Sequence, residues 1–291
     1  MKDPLVSIII PCQNEGENVL NTINSIREKS GDTSYEIVVV DDASEDGCCD
    51  FLREKKKDGV ILIETKSNHA NMARNIGAEK ANGDIFVFCD PHILVDDNWL
   101  KTLIDTLTVP GTGAVSPSIR PPEDEMFSVG GLTWGADLSL KWLPSSEGIN
   151  SVPVLPKCCL AITRGAFESV EGFEEGFRLY GYDDVEFTLK LWLFDLGAVI
   201  NSAVKVCHIF NGSRPYTVSN NDIHYNLLRM AILHFNQERL SRVIAKIKNY
   251  QYFNDIFTEV MLSDAPERRC SIIERRVKDD DWYFQKFNIP L

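Results

Sequence analysis

The chain has 291 residues, 44% of them hydrophobic and 25% charged, enough to bury one large core or two small ones and to exclude disorder as the default state. Lys plus Arg number 30 against 43 Asp plus Glu, and the formal charge of -13 opposes sequence-independent attraction to nucleic acid or anionic lipid, so no nucleic-acid partner is expected. An anionic ligand needs a local cation here, and a bound divalent metal is one way to supply it.

The eight cysteines include the adjacent pairs Cys48-Cys49 and Cys158-Cys159, and no spacing reads as a Cys-x-x-Cys zinc knuckle. They are expected to be buried thiols in a reducing compartment. Met1-Lys2-Asp3-Pro4 leads straight into a strand without the basic and apolar regions of a signal peptide. No apolar run approaches the roughly 20 residues of a spanning helix, so the expectation is a soluble, cytoplasmic protein with no transmembrane segment.

Val6-Ser7-Ile8-Ile9-Ile10-Pro11 reads as a strand buried on both faces. Residues 17–29 then carry apolar residues at Val19, Leu20, Ile23 and Ile26, a helical spacing. Residues 36–42, 60–63 and 84–90 are three further apolar strands, with helical stretches at 49–57 and 71–81 between them. Strands alternating with helices specify an α/β protein with a mostly parallel, Rossmann-like sheet, whose ligands sit beyond the carboxyl ends of the strands. Those ends carry Pro11-Cys12-Gln13-Asn14-Glu15, Asp41-Asp42 and Asp90-Pro91-His92, so the three polar clusters share one rim.

The second half is less regular. Turn residues dominate 110–125 and 144–156, and residues 165–176 lead into a helix at 184–196. From about residue 221 the chain reads as charged helices, including 223–236 and 239–249, followed by the acidic-aromatic tail Asp279-Asp280-Asp281-Trp282-Tyr283-Phe284. The expected division is a catalytic domain at 1–220 and a helical C-terminal extension at 221–291, which caps the domain, forms a homodimer surface or stands as an extra lobe.

Asp90-Pro91-His92 places a carboxylate and an imidazole two residues apart in a short turn, where both can reach one ion. Mixed oxygen and nitrogen donors suit Mn2+ better than Mg2+ or Ca2+. By itself the triplet serves equally as a capping Asp and a turn histidine. His208, in Val204-Lys205-Val206-Cys207-His208-Ile209-Phe210, offers a third ligand or a hydrogen-bonded core histidine.

The first half, with Ser7-Ile8-Ile9-Ile10-Pro11, Asn14-Glu15, Val40-Asp41-Asp42-Ala43-Ser44 and Ala73-Arg74-Asn75, resembles the nucleotide-binding half of family 2 glycosyltransferases of the GT-A fold. The second half is similar to the polypeptide N-acetylgalactosaminyltransferases in Asp90-Pro91-His92, in Gly130-Gly131-Leu132-Thr133-Trp134 with Lys141-Trp142, in Tyr180-Gly181-Tyr182-Asp183-Asp184-Val185-Glu186 with Leu191-Trp192, and in Val206-Cys207-His208-Ile209-Phe210. The resemblance covers residues 6–216.

It implies that Asp90, His92 and His208 hold Mn2+ (or Mg2+) against the diphosphate of a UDP-sugar, stabilising the leaving group. It also implies that Pro11, Asn14, Glu15, Asp41 and Asp42 meet the nucleoside and Arg74 the diphosphate or sugar. The loop 211–216 is expected to close over the diphosphate with Arg214. Trp134, Tyr180 and Gly181 are expected at the sugar or acceptor, whereas Trp142 and Trp192 read as core.

One position departs from the resembled acceptor-side family, which retains anomeric configuration and carries an amide where this chain has Asp184. Inverting family 2 enzymes place their general base there, so inversion is expected, with Asp184 as base and Asp183 on acceptor or sugar hydroxyls. The plainer reading of the pair is helix capping and dipole complementation. Retention remains the alternative outcome. A peptide, a glycan or a small molecule with a hydroxyl or thiol all fit as acceptor. Among other classes, a nucleotidyltransferase lacks its basic Gly-rich loop at residues 11–17, a non-catalytic binder predicts gaps in the ligand set that are not seen, and a zinc hydrolase lacks a nucleophile elbow.

Overall fold

Val6-Ser7-Ile8-Ile9-Ile10-Pro11-Cys12 is buried along its whole length and forms β1 (Val6–Cys12). The computed structural model describes residues 5–54, 59–66, 69–209 and 218–290. After β1, α1 (Asn18–Lys29) buries Val19, Ile23 and Ile26, one helical stripe. β2 (Tyr35–Asp42) runs parallel to β1, with Cys12 opposite Asp41. Then come α2 (Asp50–Glu54), β3 (Val60–Thr65), α3 (Ala70–Lys80) and β4 (Ile85–Cys89), giving the parallel order β3-β2-β1-β4. α3 lies close on the sheet because Gly77 has no side chain: a Cβ there would stand 2.5 Å from Ile9 Cγ2.

The middle of the chain supplies β5 (Ile93–Val95), α4 (Trp99–Leu107), β6 (Thr112–Arg120), β7 (Val129–Trp134), β8 (Leu140–Pro144), β9 (Ile149–Ser151), β10 (Cys159–Thr163), α5 (Arg164–Ser169), α6 (Asp183–Leu193) and β11 (Gly197–His208). The 11-stranded sheet continues as β4-β10-β6-β11-β5. The turn-rich reading of residues 110–125 and 144–156 therefore gives way to β6, which carries Gly113 and Pro117 within the strand, and to β9, a three-residue strand between Gly148 and Pro153. β10 runs antiparallel to both β4 and β6, and β11 is antiparallel to β5 and β9 but parallel to β6. Parallel pairing thus holds for β1–β4 and for β6 with β11, and the sheet as a whole is mixed. Helical crossovers link the first four strands, whereas β7 returns to β8 through a short turn that can only pair antiparallel.

Five helices end the chain: α7 (Asn220–His234), α8 (Gln237–Ile247), α9 (Phe253–Leu262), α10 (Ala265–Arg275) and α11 (Asp280–Lys286). They share one hydrophobic cluster with α6 and one face of the sheet. Trp192 of α6 meets Phe287 at 5.2 Å between centroids, and the Tyr283 hydroxyl donates to the Pro153 carbonyl at 3.0 Å. Among the described residues no helix is long and apolar enough to cross a membrane.

Candidate active site

β1, β2 and β4 all end on the same rim of the sheet. Two later pairings bring distant residues to it. β11 runs antiparallel to β5 with His208 opposite Ile93, and the Ile209 N–H donates to the His92 carbonyl at 3.0 Å, which sets His208 beside a residue 116 positions earlier. β10 pairs with β4 so that the Asp90 N–H donates to the Cys158 carbonyl at 2.8 Å, which carries Lys157 to the same place. From beneath, Thr22 of α1 donates its hydroxyl to the Pro91 carbonyl at 2.8 Å and accepts from the Ile93 N–H at 3.1 Å, pinning the Asp90-Pro91-His92 turn.

Asp90, His92 and His208 each present a ligand atom, all within 4.8 Å of one another. The His208 Nε2 lies 3.5 Å from Asp90 Oδ2, and the two imidazole rings meet edge to face with centroids 4.8 Å apart. His92 Nδ1 lies 3.0 Å from Glu15 Oε2, so the carboxylate fixes the tautomer and leaves Nε2 as the lone-pair nitrogen. Burial opposes the charge on Asp90, but the hydrogen bond with His208 and the Arg74 guanidinium hold its carboxyl well below the usual range. Burial likewise disfavours a charged His92, yet Glu15 and Asp90 raise its pKa on balance. The donor set is three convergent groups of the kinds that borderline divalent cations accept.

Arg74 is 2% exposed and donates from Nη2 to Asp90 Oδ1 at 2.6 Å. Its Nε and Nη1 are buried without a hydrogen-bond partner. Arg74 lines the cavity, and a guanidinium with unused donors at such a wall is a candidate partner for an anion.

The cavity measures about 800 Å³ and is lined from both halves of the chain. Of the residues singled out in the sequence, Pro11, Asn14, Glu15, Asp42, Arg74, Asp90, His92, Tyr180, Gly181, Asp183, Asp184 and His208 line it. Asp41 does not. It is buried, with Oδ1 accepting from the Ser44 N–H at 3.0 Å and Oδ2 from Arg53 at 3.0 Å, so it ties the β2 loop down. Trp134 does not line the cavity either: it is 3% exposed in the aromatic core, its Nε1 donating to the Tyr283 hydroxyl at 3.2 Å. Trp142, read as core, is 45% exposed and lines the cavity wall, while Trp192 is core as expected. Arg214 and the loop 211–216 lie outside the described residues.

The acidic pair is aimed by its turn. Gly181 and Tyr182 both have positive φ, 108° and 62°, and the chain enters α6 directly at Asp183. A Cβ at Gly181 would meet Ile223 of α7 at 3.2 Å, so glycine serves both conformation and space there. Tyr182 takes the N-cap position without a side-chain cap bond. The two carboxylates instead meet Lys157, whose ammonium pairs with Asp183 and whose backbone N–H donates to Asp184 Oδ1 at 3.3 Å. Burial raises the pKa of Asp184, with Lys157 opposing. Burial and the neighbouring Arg74 lower the Lys157 ammonium to about 8. Lys157 shows in the sequence only as a lone cation inside the apolar run 152–162.

The chain has relatives among known proteins. It is 27% identical over 258 residues to polypeptide N-acetylgalactosaminyltransferase 11 of Xenopus tropicalis, covering 78% of this chain and 42% of that protein. It is 26% identical over 317 residues to polypeptide N-acetylgalactosaminyltransferase 3 of Drosophila melanogaster, covering 97% of this chain and 46% of that protein. The chain therefore spans less than half the length of these relatives. Among solved structures, it superposes on GalNAc-T7 with UDP, GalNAc and Mn2+ with a TM-score of 0.79 at 19% identity, covering 99% of this chain and 59% of that one. A structure of S. aureus TarS 1-349 in complex with UDP-GlcNAc gives 0.61 at 16% identity, covering 90% of this chain and 78% of that one. These likenesses establish a GT-A fold. Residues 7–169, more than half of the sequence, match the model of glycosyl transferase family 2, and the chain belongs to that family.

Proposed function

We propose that this chain is a metal-dependent glycosyltransferase that moves a hexose or N-acetylhexosamine from a UDP-sugar to a hydroxyl or thiol of a peptide, glycan or small molecule. One observation carries the reading: three convergent ligands, Asp90, His92 and His208, stand beside Arg74, which keeps two unused donors, and share a cavity with the partly buried carboxylate of Asp184. Asp90, His92 and His208 would hold Mn2+, or Mg2+, which when bound supplies Lewis-acid neutralisation of a diphosphate leaving group. The UDP and Mn2+ recorded in the GalNAc-T7 structure support that choice of donor and ion.

In this reading Arg74 donates from Nε and Nη1 to the anionic oxygens and holds Asp90 in place. Asn14, Asp42 and Pro11 border the nucleoside end. The Glu15 carboxylate orients His92. Asp184 takes the acceptor proton, because burial raises its pKa above the ordinary aspartate value and makes it a stronger base. Asp183, paired with Lys157, holds sugar or acceptor hydroxyls, with Tyr180, Gly181 and Trp142 shaping that end of the cavity. In-line attack with Asp184 as base inverts the anomeric carbon. Residues 1–220 carry the site and residues 221–291 buttress it, with Ile223 of α7 reaching the cavity wall.

The eight cysteines are all free, which supports a reducing, cytoplasmic setting. Leu262 and Val277, 83% and 62% exposed on and beside the C-terminal helices, support a homodimer contact there that sedimentation would reveal.

The decisive experiment is UDP release from a panel of UDP-sugars with and without Mn2+, followed by NMR of the product anomer. Release that depends on the metal, with inverted configuration, is expected. No release with any donor and acceptor returns the chain to a binding role, and a product with the donor's configuration removes Asp184 as base.

A further inference from the structure

A second convergent group of ligands lies behind the cavity. Cys12 ends β1, and Cys48 and Cys49 immediately precede α2. Their three sulfurs all lie within 4.8 Å of one another, with Cys12 Sγ 3.3 Å from Cys49 Sγ and Cys49 Sγ 3.9 Å from Cys48 Sγ. All three residues are buried. Three sulfurs bound to one ion at about 2.3 Å stand about 3.8–4.0 Å apart, so the trio needs to open by less than roughly 1 Å to enclose one.

The surroundings suit such a site. The Cys48 thiol lies 3.3 Å from the Ser44 hydroxyl, and the Cys48 N–H donates to Asp46 Oδ1 at 2.9 Å, so hydrogen bonds hold the ligand loop in place. Cys12 reaches the wall of the large cavity, which provides an entry path. The position also matters mechanically. The Asn14 N–H donates to Ser44 Oγ at 3.0 Å, the Glu45 N–H to Asn14 Oδ1 at 2.8 Å and the Gly16 N–H to Asp46 Oδ2 at 2.8 Å. These bonds join the loop after β1 to the loop after β2, and the thiols sit beneath that seam.

We propose that Cys12, Cys48 and Cys49 form a three-thiolate site for one soft, thiophilic cation, separate from the Asp90, His92 and His208 set, which splints the loops after β1 and β2 to each other. Soft thiolates select Zn2+, Cd2+ or Cu+ over Mn2+, so the two sites sort ions by ligand chemistry. Each thiol gives up its proton to solvent on coordination, and no oxidant is involved.

Cd2+ is the probe, added as one equivalent to the full chain carrying Cys270→Ser, with a non-thiol reductant and excess Mn2+ present. X-ray absorption at the cadmium edge is expected to show three sulfur neighbours. Hydrogen exchange in residues 11–16 and 43–48 is expected to slow by about a hundredfold when free Cd2+ exceeds its Kd a hundredfold. In Cys48→Ser both signatures should weaken, with one sulfur lost from the shell. A shell with fewer than three sulfurs in the parent chain, or loop exchange indifferent to Cd2+, overturns the proposal without need of a variant. A three-sulfur shell that survives in Cys48→Ser places the ion elsewhere and overturns it too.

Discussion

Arg74, a residue of the cavity wall, is joined to Asp90 by a single 2.6 Å hydrogen bond that uses one guanidinium nitrogen and leaves two donors buried without a partner. If those two donors serve a diphosphate, Arg74→Lys keeps the charge and loses the fork. The expected cost is about a hundredfold in kcat/KM for the UDP-sugar, the value of two charge-assisted hydrogen bonds at roughly 1.5 kcal/mol each. Asp90→Asn should abolish Mn2+ binding measured by electron paramagnetic resonance. Arg74→Lys should weaken that binding by about tenfold through loss of orientation of Asp90. A lysine variant with undiminished kcat/KM would remove Arg74 from the donor site.

Asp184 combines two effects with opposite signs. As a base it must be ionised, so kcat/KM should rise with pH through a pKa above the ordinary aspartate value of 3.8. For stability, a group whose folded pKa is raised contributes below its unfolded pKa and loses that contribution as pH rises through the folded value. At neutral pH the partly buried carboxylate therefore costs stability. Asp184→Asn is expected to lose about 10²–10⁴-fold in kcat, lose the acid limb, and gain in Tm at neutral pH. A variant that loses activity and Tm together would point to a structural role instead.

Of the two cations that restrain the Asp184 shift, Lys157 and Arg74, Lys157 has the larger effect. Replacing it by methionine removes the positive charge beside Asp184 and leaves Asp183 without its partner. The acid limb of the pH profile should move to higher pH, and kcat at pH 6 should fall more than kcat at pH 8. An unmoved limb would show that Lys157 acts on Asp183 alone.

The parts of this molecule that could be read from the sequence are those where one strand carries its whole signal. Val6 to Pro11 and Ile85 to Cys89 are apolar on both faces, so their burial, their parallel pairing and the polar ends that follow them could be inferred together. Asp41 and Asp42 could not be told apart, because successive residues of a strand face opposite ways and only the fold shows that Asp41 turns to Arg53 while Asp42, accepting from the His69 N–H at 2.9 Å, lines the cavity. Trp134 misled through its glycines. Gly130-Gly131 suggested a mobile loop, but Gly131 takes φ of 92° at an irregularity between β7 and β8, where a Cβ would press to 3.0 Å on Val152, so the glycines serve tight packing. Lys157 had no local pattern to announce it, since its meaning depends on β10 returning antiparallel beside Asp90.

Beneath the site, α6 and α7 are joined by a buried ion network. Glu186 Oε1 accepts from His234 Nε2 at 2.9 Å and lies 3.4 Å from the Lys190 ammonium, which itself donates to the Gly172 carbonyl at 2.7 Å. Burial alone would push the Glu186 pKa up, but Lys190 and His234 bring it down from 4.5 to about 2. A depressed pKa means the stabilisation is complete above pH 4.5 and lost as pH falls toward 2, a contribution of up to about 3 kcal/mol. Glu186→Gln should flatten the fall in Tm across that window and also lower Tm at pH 7, because Lys190 is left buried without its counter-charge. Thermal unfolding from pH 2 to 7 checks both, and a parallel downward shift of the whole curve would assign no ionic role to Glu186.

Trp134 and Trp142 stand on adjacent antiparallel strands, β7 and β8, yet one is core and the other faces the cavity. Truncating Trp134 to alanine empties a site packed against Tyr182, Phe235 and Phe284 and leaves the Tyr283 hydroxyl without its donor. The expected cost is about 3–5 kcal/mol of stability. Trp142→Ala removes a half-exposed ring from the cavity wall, so stability should change by no more than about 0.5 kcal/mol. Its effect should appear in the KM for the acceptor, raised by about tenfold if the ring contributes the roughly 1–1.5 kcal/mol of an aromatic contact. Denaturant unfolding and acceptor kinetics on the two variants separate the cases. If Trp142→Ala unfolded early and left acceptor KM unchanged, the ring would belong to the scaffold, and the acceptor end of the cavity would have to be sought toward Tyr180 and Tyr182.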